Sequence, residues 1–599
     1  MKHPISTRLA DLRALMASKS IAAAVIPQGD PHMSEYLSDH WQLRRWLSGF
    51  TGSAGDLVVT ASHALLWTDS RYFLQGARQL EGTGIELMKD GLPETPSIAE
   101  WLCTNLHEGD RVGIDGMVFS TLAADDLAMR LAADGIALDT AFDPAGVWTD
   151  RPALPQAQIF EHKVEYAGLS AADKIVQVLG AVRRQRAGAV FISALDEIAW
   201  TLNIRSNDVK YNPVVTSFLY LGEGGNILFI DPAKVDAAAA DYLRSQGVAT
   251  MDYTAVAPYL SSLPADRRVL VDASRTAAGI VALLGDRAVK GSSPVAMLKA
   301  CKNDVQLAGV RAAMQRDGIA MVRSLCEVQT RVAAGEALTE LDVAEILRRY
   351  RSASPLFFDE SFGTIAGYGP HGAIVHYEAD DESASPLRAG GLLLIDSGAQ
   401  YLDGTTDITR TIALGTPTDA ERRDFTLVMK GHIALGSAVF PAGTAGAQLD
   451  ALARQYLWQE GLSYLHGTGH GVGHFLNVHE GPQSIRLNYV PTPLTPGMIT
   501  SNEPGLYREG VHGIRCENLV LTVPAMTTEF GQFLRFETLT LCPFERSLFD
   551  TSLMTNSEIE WLNAYHARVR EALAPGLDGD ALAWLERNTE PLPLHKITD

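Results

Sequence analysis

The chain has 599 residues, too many for one hydrophobic core, and its length predicts roughly three or four domains. Apolar residues make up 46% and charged residues 20%, a balance that favours a globular enzyme over a disordered chain. With 50 basic and 71 acidic residues the formal charge is −21. This excess of acid disfavours nucleic-acid binding, which needs a basic surface.

Nothing in the sequence predicts secretion or a membrane partner. Charges are interspersed through the first twenty residues, so the apolar segment of a signal peptide is missing. A membrane span needs about 18 uninterrupted apolar residues, and the sequence has no such stretch. The five cysteines are scattered without a CxxC spacing, which fits free thiols in a reducing compartment. We therefore expect a cytoplasmic protein.

The first 150 residues alternate between helical and strand patterns. Apolar residues at helical spacing predict a helix over 7–18, and short apolar runs predict strands over 21–27, 55–60 and 63–68. This alternation indicates an α/β domain. Residues 150–156, Asp-Arg-Pro-Ala-Leu-Pro-Gln, have the composition of a linker.

A second α/β pattern and then a long helix follow. The pattern predicts a helix over 166–186 and strands over 189–193, 226–232 and 268–274. Good helix formers over 304–332 predict an amphipathic helix that opens the third region. The spacing of its apolar residues predicts a buried face formed by Val305, Ala308, Ala312 and Ile319.

Four acidic residues beyond this helix lie in or beside apolar segments. Asp396 ends the apolar strand LLLIDSG, and Asp407 follows eleven residues later in the extended segment GTTDITRT. Glu503 lies in GMITSNEPGLY, and Glu517 lies in the apolar strand GIRCENLVLT. Each residue alone is more often a turn former or an edge residue. Together they would be costly to bury unless they were paired or bound to a cation.

The segment HGTGHGVG adds His466 and His470, and its four glycines argue against a helix. Four carboxylates and one imidazole suit Mn²⁺, Co²⁺ or Zn²⁺ better than a thiolate zinc site. The carboxylates offer enough oxygens for two ions, some of them bridging. Two ions about 3.5 Å apart can share one hydroxide and hold it against a carbonyl, so the indicated chemistry is hydrolysis.

The order Asp, Asp, His, Glu, Glu in these contexts resembles the pita-bread metallopeptidases, which include methionine aminopeptidase, prolidase and aminopeptidase P. The resemblance implies that Asp396 binds one ion and that His470 and Glu503 bind the other. It implies that Asp407 and Glu517 bridge the two ions, and that Mn²⁺ is the expected metal. All five positions are filled, which favours an active enzyme over a degenerate relative.

Within this family the chain resembles the long, three-domain Xaa-Pro aminopeptidases. That resemblance implies two creatinase-like N-terminal α/β domains over 1–154 and 155–300. It also implies a pita-bread catalytic domain with a C-terminal extension over 301–599, a homodimer, and peptides with proline in second position as substrates. The matching segments include IPQGDPHMSEYL (26–37), SGFTGSAG (48–55), LDEIAWTLNIRS (195–206), GAIVHY (372–377), LNVHEGP (476–482) and EIEWLNAYH (558–566).

Three histidines follow from the resemblance as active-site residues: His376, His466 and His479. Beside a metal pair, a histidine can donate to a developing oxyanion or carry a proton. His466 and His479 would also shape a pocket for the proline. Glu503 is expected to carry a proton while it remains a ligand.

Two further residues are predicted to contact the site. Arg515 would pair with an acidic ligand and orient it, the alternative being a strand residue that faces solvent. Tyr507 follows NEPGL and is expected to contact substrate. Cys516 should point to the opposite face of its strand, where we interpret it as a packing residue.

Other functions stay open at this point. The nearest alternative is a prolidase, which cleaves only Xaa-Pro dipeptides, although the long N-terminal region and the C-terminal extension favour an aminopeptidase. A methionine aminopeptidase would not need the N-terminal region. A catalytically inactive pita-bread protein that binds partners would be expected to lack metal ligands.

Overall fold

The structure, a computed structural model, describes residues 4–596. These residues form two compact units. The first contains the described residues up to Val164 together with Leu169–Ala296, and the second contains Glu165–Gly168 together with the described residues from Met297 onward. No helix within residues 4–596 is long and apolar enough to cross a membrane.

Helices occur throughout both units and alternate with strands. In chain order they are α1 (Ile5–Ser18), α2 (Leu43–Ser48), α3 (Phe73–Gln79), α4 (Ile98–Asn105), α5 (Thr121–Ala132), α6 (Val164–Ala167), α7 (Ala171–Arg184), α8 (Leu195–Leu202), α9 (Ala237–Ser245), α10 (Val256–Ser262), α11 (Ala278–Leu284), α12 (Pro294–Ala300), α13 (Asp304–Ala333), α14 (Glu340–Ser352), α15 (Asp419–Gly436), α16 (Ala447–Trp458), α17 (Asn556–Leu573) and α18 (Gly579–Asn588).

The first unit contains two six-stranded sheets with the same topology. Its strands are β1 (Ala23–Ile26), β2 (Asp56–Thr60), β3 (Ala64–Thr68), β4 (Glu86–Lys89), β5 (Arg111–Gly113), β6 (Ala137–Asp139), β7 (Phe160–Glu161), β8 (Ala189–Ile192), β9 (Ile204–Arg205), β10 (Ser217–Gly222), β11 (Asn226–Ile230), β12 (Val248–Met251), β13 (Val269–Val271) and β14 (Ala288–Lys290). The strand orders are β4-β3-β2-β1-β5-β6 and β12-β11-β10-β8-β13-β14. In both sheets the first three strands along the chain pair with one another in antiparallel fashion. All other neighbouring strands of the two sheets pair in parallel. The two α/β patterns predicted for the N-terminal half are therefore confirmed, and they form sheets of the same strand order.

Strand periodicity explains why these apolar runs form the central strands. In β1, Ala24 and Ile26 pack into one apolar cluster, whereas Ala23 and Val25 pack into another. Successive side chains of a strand point to opposite faces, so a strand that is apolar throughout needs a core on each face. The strands predicted over 21–27, 55–60 and 63–68 are confirmed as β1, β2 and β3.

The single helix predicted over 166–186 is wrong in one respect. The structure has two helices there, α6 and α7, separated by Gly168–Ser170. Gly168 adopts φ 76°, a left-handed conformation that ends a helix. The side chain of Ser170 accepts a hydrogen bond from the backbone N–H of Asp173 and so starts α7.

The second unit is also mixed α/β, which confirms the predicted fold class. Its sheets have the orders β15-β18-β19, β16-β17-β20, β21-β28-β27-β24-β22-β23 and β25-β26. The strands are β15 (Phe357–Glu360), β16 (Ile365–Tyr368), β17 (Leu392–Ser397), β18 (Ala399–Tyr401), β19 (Gly404–Thr405), β20 (Ile408–Ala413), β21 (Val439–Pro441), β22 (Gly469–Gly471), β23 (Glu480–Ile485), β24 (Ile499–Asn502), β25 (Gly505–Arg508), β26 (His512–Arg515), β27 (Asn518–Thr528) and β28 (Gly531–Thr538).

The long helix α13 forms where predicted, but its predicted buried face is wrong. Val305, Ala308 and Ala312 are exposed, and the buried face includes Val310 and Met314 instead. Two glycines of the helix allow other backbone segments to pack closely against it. A Cβ on Gly309 would lie 2.5 Å from the carbonyl oxygen of Asp403, and one on Gly318 would lie 2.2 Å from that of Leu541. The helix thus packs closely through positions that an apolar pattern cannot mark. The three domain ranges 1–154, 155–300 and 301–599 stay predictions.

Candidate metal centre

Two of the predicted ligands lie on or beside one antiparallel strand pair. Asp396 is in β17, directly opposite Thr409 of β20, and Asp407 immediately precedes β20. Both carboxylates are buried, with 7% and 4% of each residue exposed. The apolar residues of β17 belong to the core, so the register of this pair fixes where the two carboxylates emerge.

His470 lies in a strand of the six-stranded sheet, and Glu503 immediately follows the neighbouring strand β24. His470 is in β22, and its Nε2 lies 3.4 Å from Asp407 Oδ2 and 3.4 Å from Glu503 Oε1. Its Nδ1 lies 2.9 Å from the carbonyl oxygen of Gly471. A proton on Nδ1 donated to this carbonyl leaves the Nε2 lone pair facing the carboxylates, as a metal-binding imidazole requires.

Glu517 lies between β26 and β27, so its prediction as a strand residue is wrong. The chain changes partners at this point, because β26 pairs with β25 whereas β27 pairs with β24 and β28. The Glu517 backbone N–H donates to Thr409 O, and Thr409 Oγ1 donates to Glu517 Oε2 at 2.8 Å. Thr409 thereby orients the Glu517 carboxylate.

The term ligand cluster denotes the five predicted metal-binding residues, Asp396, Asp407, His470, Glu503 and Glu517. Asp407, His470 and Glu517 each offer a ligand atom, and these atoms all lie within 4.8 Å of one another. Among the described residues, no donor forms a hydrogen bond with the buried atoms Asp396 Oδ1 and Glu517 Oε1. Buried oxygens normally have partners, so these two orphaned atoms fit a cation.

The carboxylates of the ligand cluster are buried close together, and this raises the pKa of three of them. Burial raises the pKa of Asp396, although Arg515 partly offsets this effect. Burial, together with repulsion from Asp407, raises the pKa of Glu517 well above its usual value. Burial also raises the pKa of Glu503 to about 7. A bound cation would reverse these effects, because it favours the ionised form of each carboxylate.

His470 responds in the opposite sense. Burial by itself lowers the pKa of an imidazole, but hydrogen bonding to Asp407 and the charge of Glu503 outweigh burial and raise the pKa of His470 to about 9. Without a metal, the imidazole therefore serves as the counter-ion of the carboxylates. A metal ion would take over this role from the proton.

A chain of hydrogen bonds links the ligand cluster to two predicted substrate-contacting residues. Arg515 is buried, and its Nη2 donates to Asp396 Oδ2 at 2.6 Å. Its Nη1 donates to Tyr507 Oη at 2.8 Å, and Tyr507 Oη lies 2.8 Å from His466 Nε2. Burial raises the pKa of Tyr507 to about 12, so its phenol stays protonated at neutral pH. The predicted pairing of Arg515 with an acidic residue is confirmed.

Comparison with known proteins gives the family. The sequence model of metallopeptidase family M24 matches residues 308–524, and that of the C-terminal region of peptidase M24 matches residues 532–592. Two models of the creatinase/prolidase N-terminal domain match residues 8–140 and 150–306. The chain belongs to metallopeptidase family M24. Creatinase-type N-terminal domains followed by the pita-bread domain of an M24 peptidase confirm the fold that the resemblance implied.

The relatives that align over nearly the whole chain are described as aminopeptidases. A probable Xaa-Pro aminopeptidase P from Laccaria bicolor is 43% identical over 98% of this chain and 94% of its own length. Aminopeptidase P2 from Arabidopsis thaliana is 40% identical over 99% of this chain and 89% of its own length. The solved X-prolyl aminopeptidase of Caenorhabditis elegans, described as a cytosolic enzyme with a di-nuclear active site, is 35% identical. The two structures align with a TM-score of 0.94 over 98% of this chain and 100% of that one.

Of the remaining predicted residues, His479 lies beside His470, and His376 lies in a segment whose backbone contacts Arg515. His479 immediately precedes β23, and its ring centroid is 4.4 Å from that of His470. His376 is half-buried in the loop after the 3-10 helix Gly369–Ala373. The neighbouring carbonyl of Val375 accepts a hydrogen bond from Arg515 at 3.3 Å. Cys516 is fully buried in the apolar core, as its interpretation as a packing residue requires.

Two supporting residues were not predicted from the sequence, and they lie two and three positions after Asp407. Thr409 orients Glu517, and Arg410 donates to the carbonyl oxygen of Glu517. Arg410 also donates to Cys542 O at 2.7 Å and to Tyr565 Oη at 3.0 Å, in the segment after β28 and in α17. The Thr-rich context of GTTDITRT was the available signal. Arg410 contacts Glu517, Cys542 and Tyr565 across more than a hundred positions, and such contacts leave no local pattern in the sequence.

A carboxylate that is not part of the ligand cluster, that of Asp424, holds the β25–β26 hairpin, which carries Tyr507 and Arg515. Asp424 of α15 accepts hydrogen bonds from Arg508 Nη2 at 2.8 Å and from His512 Nε2 at 2.9 Å. Burial would raise the pKa of Asp424, but these two partners outweigh burial and lower the pKa to about 2. Asp424 is therefore ionised at neutral pH.

Proposed function

We propose that this chain is an aminopeptidase that uses two divalent metal ions to hydrolyse the bond between a first residue and a proline in second position. The observation that carries the proposal is the full-length similarity to the X-prolyl aminopeptidase of Caenorhabditis elegans, at a TM-score of 0.94. Relatives described as aminopeptidase P also align over nearly the whole chain. The ligand cluster supplies the acidic donors that such an enzyme requires.

The ligand cluster would hold the two ions in the arrangement that the family resemblance implies. Asp396 would hold one ion, His470 and Glu503 the other, and Asp407 and Glu517 would contribute to both. When bound, the ions would polarise the scissile carbonyl and lower the pKa of a water molecule, with Mn²⁺ as the expected metal.

Two residues would keep the carboxylates in place for these ions. Arg515 holds Asp396 through Oδ2 and leaves Oδ1 without a hydrogen-bond donor among the described residues. Thr409 holds Glu517 through Oε2, and the described part of the chain gives Oε1 no hydrogen bond either. In each case one oxygen is fixed by the protein and the other is directed to a ligand.

The histidines and Glu503 would handle charge and protons around the scissile bond. His376, His466 and His479 would donate a hydrogen bond to the developing oxyanion or carry a proton, and His466 and His479 would also shape the proline pocket. Glu503, whose Oε1 accepts a hydrogen bond from Ser501, would pass a proton towards the proline nitrogen as the bond breaks. Proline needs such a dedicated site because it offers no N–H for strand-like binding of the substrate. A homodimer in the cytoplasm is proposed from the family resemblance.

The test measures cleavage of three peptides, Xaa-Pro-Pro, Xaa-Pro and Xaa-Ala-Ala, by metal-depleted protein reloaded with Mn²⁺, Co²⁺ or Zn²⁺. We expect metal-dependent release of the first residue from Xaa-Pro-Pro, with Mn²⁺ the best ion. Asp407→Asn should abolish this release, whereas Asp381→Asn, the same change at an exposed position, should leave it intact. Cleavage of the dipeptide alone would indicate a prolidase. Absence of cleavage despite stoichiometric metal binding would exclude the proposed activity.

A further inference from the structure

A buried carboxylate outside the ligand cluster gathers an unusual number of donors. Glu340 is the first residue of α14, and its side chain is fully buried. Oε1 accepts from the backbone N–H of Tyr368 at 2.7 Å, and Oε2 accepts from the backbone N–H of Ser385 at 2.7 Å and from Tyr377 Oη at 2.8 Å. His371 Nδ1 lies 3.0 Å from both oxygens. A buried carboxylate needs such partners to offset the loss of its hydration.

These donors lie before and after His376 in the chain, in the loop between the end of β16 and the start of β17. Tyr368 is the last residue of β16, and Tyr377 follows His376 directly. The Tyr377 and His371 rings also pack against each other, with centroids 4.4 Å apart. Burial raises the pKa of Tyr377, so its phenol stays protonated and donates to Glu340. The single carboxylate therefore holds residues that precede His376 and residues that follow it.

The other side of the same loop is held by the strand that carries Arg515. A Cβ on Gly513 would lie 1.6 Å from the carbonyl oxygen of Gly372, so the two backbones touch. Arg515 Nη2 donates both to Val375 O and to Asp396 Oδ2. The backbone beside His376 is thus tied to a side chain that contacts the ligand cluster. Glu340 fixes the side of the loop that Arg515 does not reach.

We propose that Glu340 is a positioning residue that sets the place of His376 relative to the ligand cluster. The proposal rests on the proposed role of His376 in the reaction. Glu340 does not need to touch substrate, since it acts through Tyr377 and the backbone of the loop. A misplacement of about 1 Å in a group near the reacting atoms can cost about 100-fold in rate. Loss of this one carboxylate should therefore lower turnover even though the predicted metal ligands are intact.

The first experiment compares Glu340→Gln with Glu345→Gln in the metal-loaded full chain. Glu345 is an exposed residue of the same helix, so it provides the matched control. We expect Glu340→Gln to lower kcat for Xaa-Pro-Pro about 10- to 100-fold with unchanged metal stoichiometry, and Glu345→Gln to stay within about twofold. Hydrogen–deuterium exchange over residues 368–377 should rise in Glu340→Gln alone. Wild-type kcat, or loss of metal, would overturn the proposal.

The second experiment places Glu340→Gln in a His376→Ala background. If Glu340 acts through His376, the added loss should shrink to within about twofold, because residues that act as a unit are not additive. A fully additive loss would contradict the proposal. Tyr377→Phe removes one donor only and should show the same non-additivity with a smaller effect, which keeps the test valid if Glu340→Gln folds poorly. If His376→Ala alone retains full activity, the role of His376 in the proposed function fails instead.

Discussion

Two buried charged clusters in the second unit differ in their balance of charge. The ligand cluster holds four carboxylates, and the guanidinium of Arg515 bonds to one of them, that of Asp396. In the other cluster, the single carboxylate of Glu480 lies between two ammonium groups. Lys299 Nζ is 2.5 Å from Glu480 Oε2, and Lys302 Nζ contacts Oε1. All three side chains are at most 3% exposed.

The two clusters differ in whether every buried carboxylate oxygen has a hydrogen-bond partner. Each oxygen of Glu480 has its own ammonium donor, so neither oxygen of this carboxylate lacks a hydrogen bond. In the ligand cluster, two buried oxygens lack a hydrogen bond from any described residue, and burial raises the pKa of three carboxylates. Burying unbalanced charge is costly, and a protein that keeps it does so at functional sites.

The largest effect on turnover is expected for Glu517→Gln. Loss of this carboxylate should lower kcat/KM by at least about 100-fold, since even outer partners of metal ligands are worth 10- to 100-fold. In the metal-free protein the same change should raise the apparent Tm by about 2–4 °C, because a neutral amide avoids the cost of burying or protonating a carboxylate in this cluster. Activity assays and thermal unfolding of metal-free protein measure the two effects. Glu529→Gln, at an exposed position, is the control, and a lower Tm in Glu517→Gln would break the comparison.

Glu480→Gln should act in the opposite way. It leaves two buried ammonium groups without their carboxylate, which costs about 3–5 kcal/mol and lowers the apparent Tm by on the order of 10 °C. Turnover at 25 °C should fall less than about tenfold, because no predicted ligand is removed. Adding Lys302→Met should recover part of the lost stability. An unchanged Tm in Glu480→Gln would show that the cluster is not a stabilising unit.

The smallest effect on turnover is expected for Asp424→Asn, in the cluster that holds the β25–β26 hairpin. Asp424 has a folded-state pKa of about 2, below its ordinary value of 3.8. Its contribution to stability is therefore complete above pH 4 and is lost as the pH falls through about 2. The apparent Tm difference from wild type should be largest near neutral pH and vanish towards pH 2. Turnover at pH 7 should change by about twofold or less. A Tm difference that does not depend on pH would contradict this assignment.

The sequence by itself determined the candidate ligands and several elements of the fold. Strands such as β1 and β17 are apolar over several residues in a row, and this local pattern is sufficient to locate them. The order and contexts of Asp396, Asp407, His470, Glu503 and Glu517 were sufficient to select them from 71 acidic residues and 16 histidines. The structure then brings these five side chains together, but their roles as ligands stay predictions.

Only the tertiary structure decided which residues support the candidate site. Arg515 bonds Asp396, and Arg410 bonds Tyr565, across more than a hundred positions of the chain. Glu340 has the sequence of an ordinary helix start, and its burial depends on donors from three later segments. Local patterns record hydrophobic period and turn chemistry, whereas these contacts depend on how distant elements pack. Side chains that pair across the fold therefore become visible only when the chain is folded.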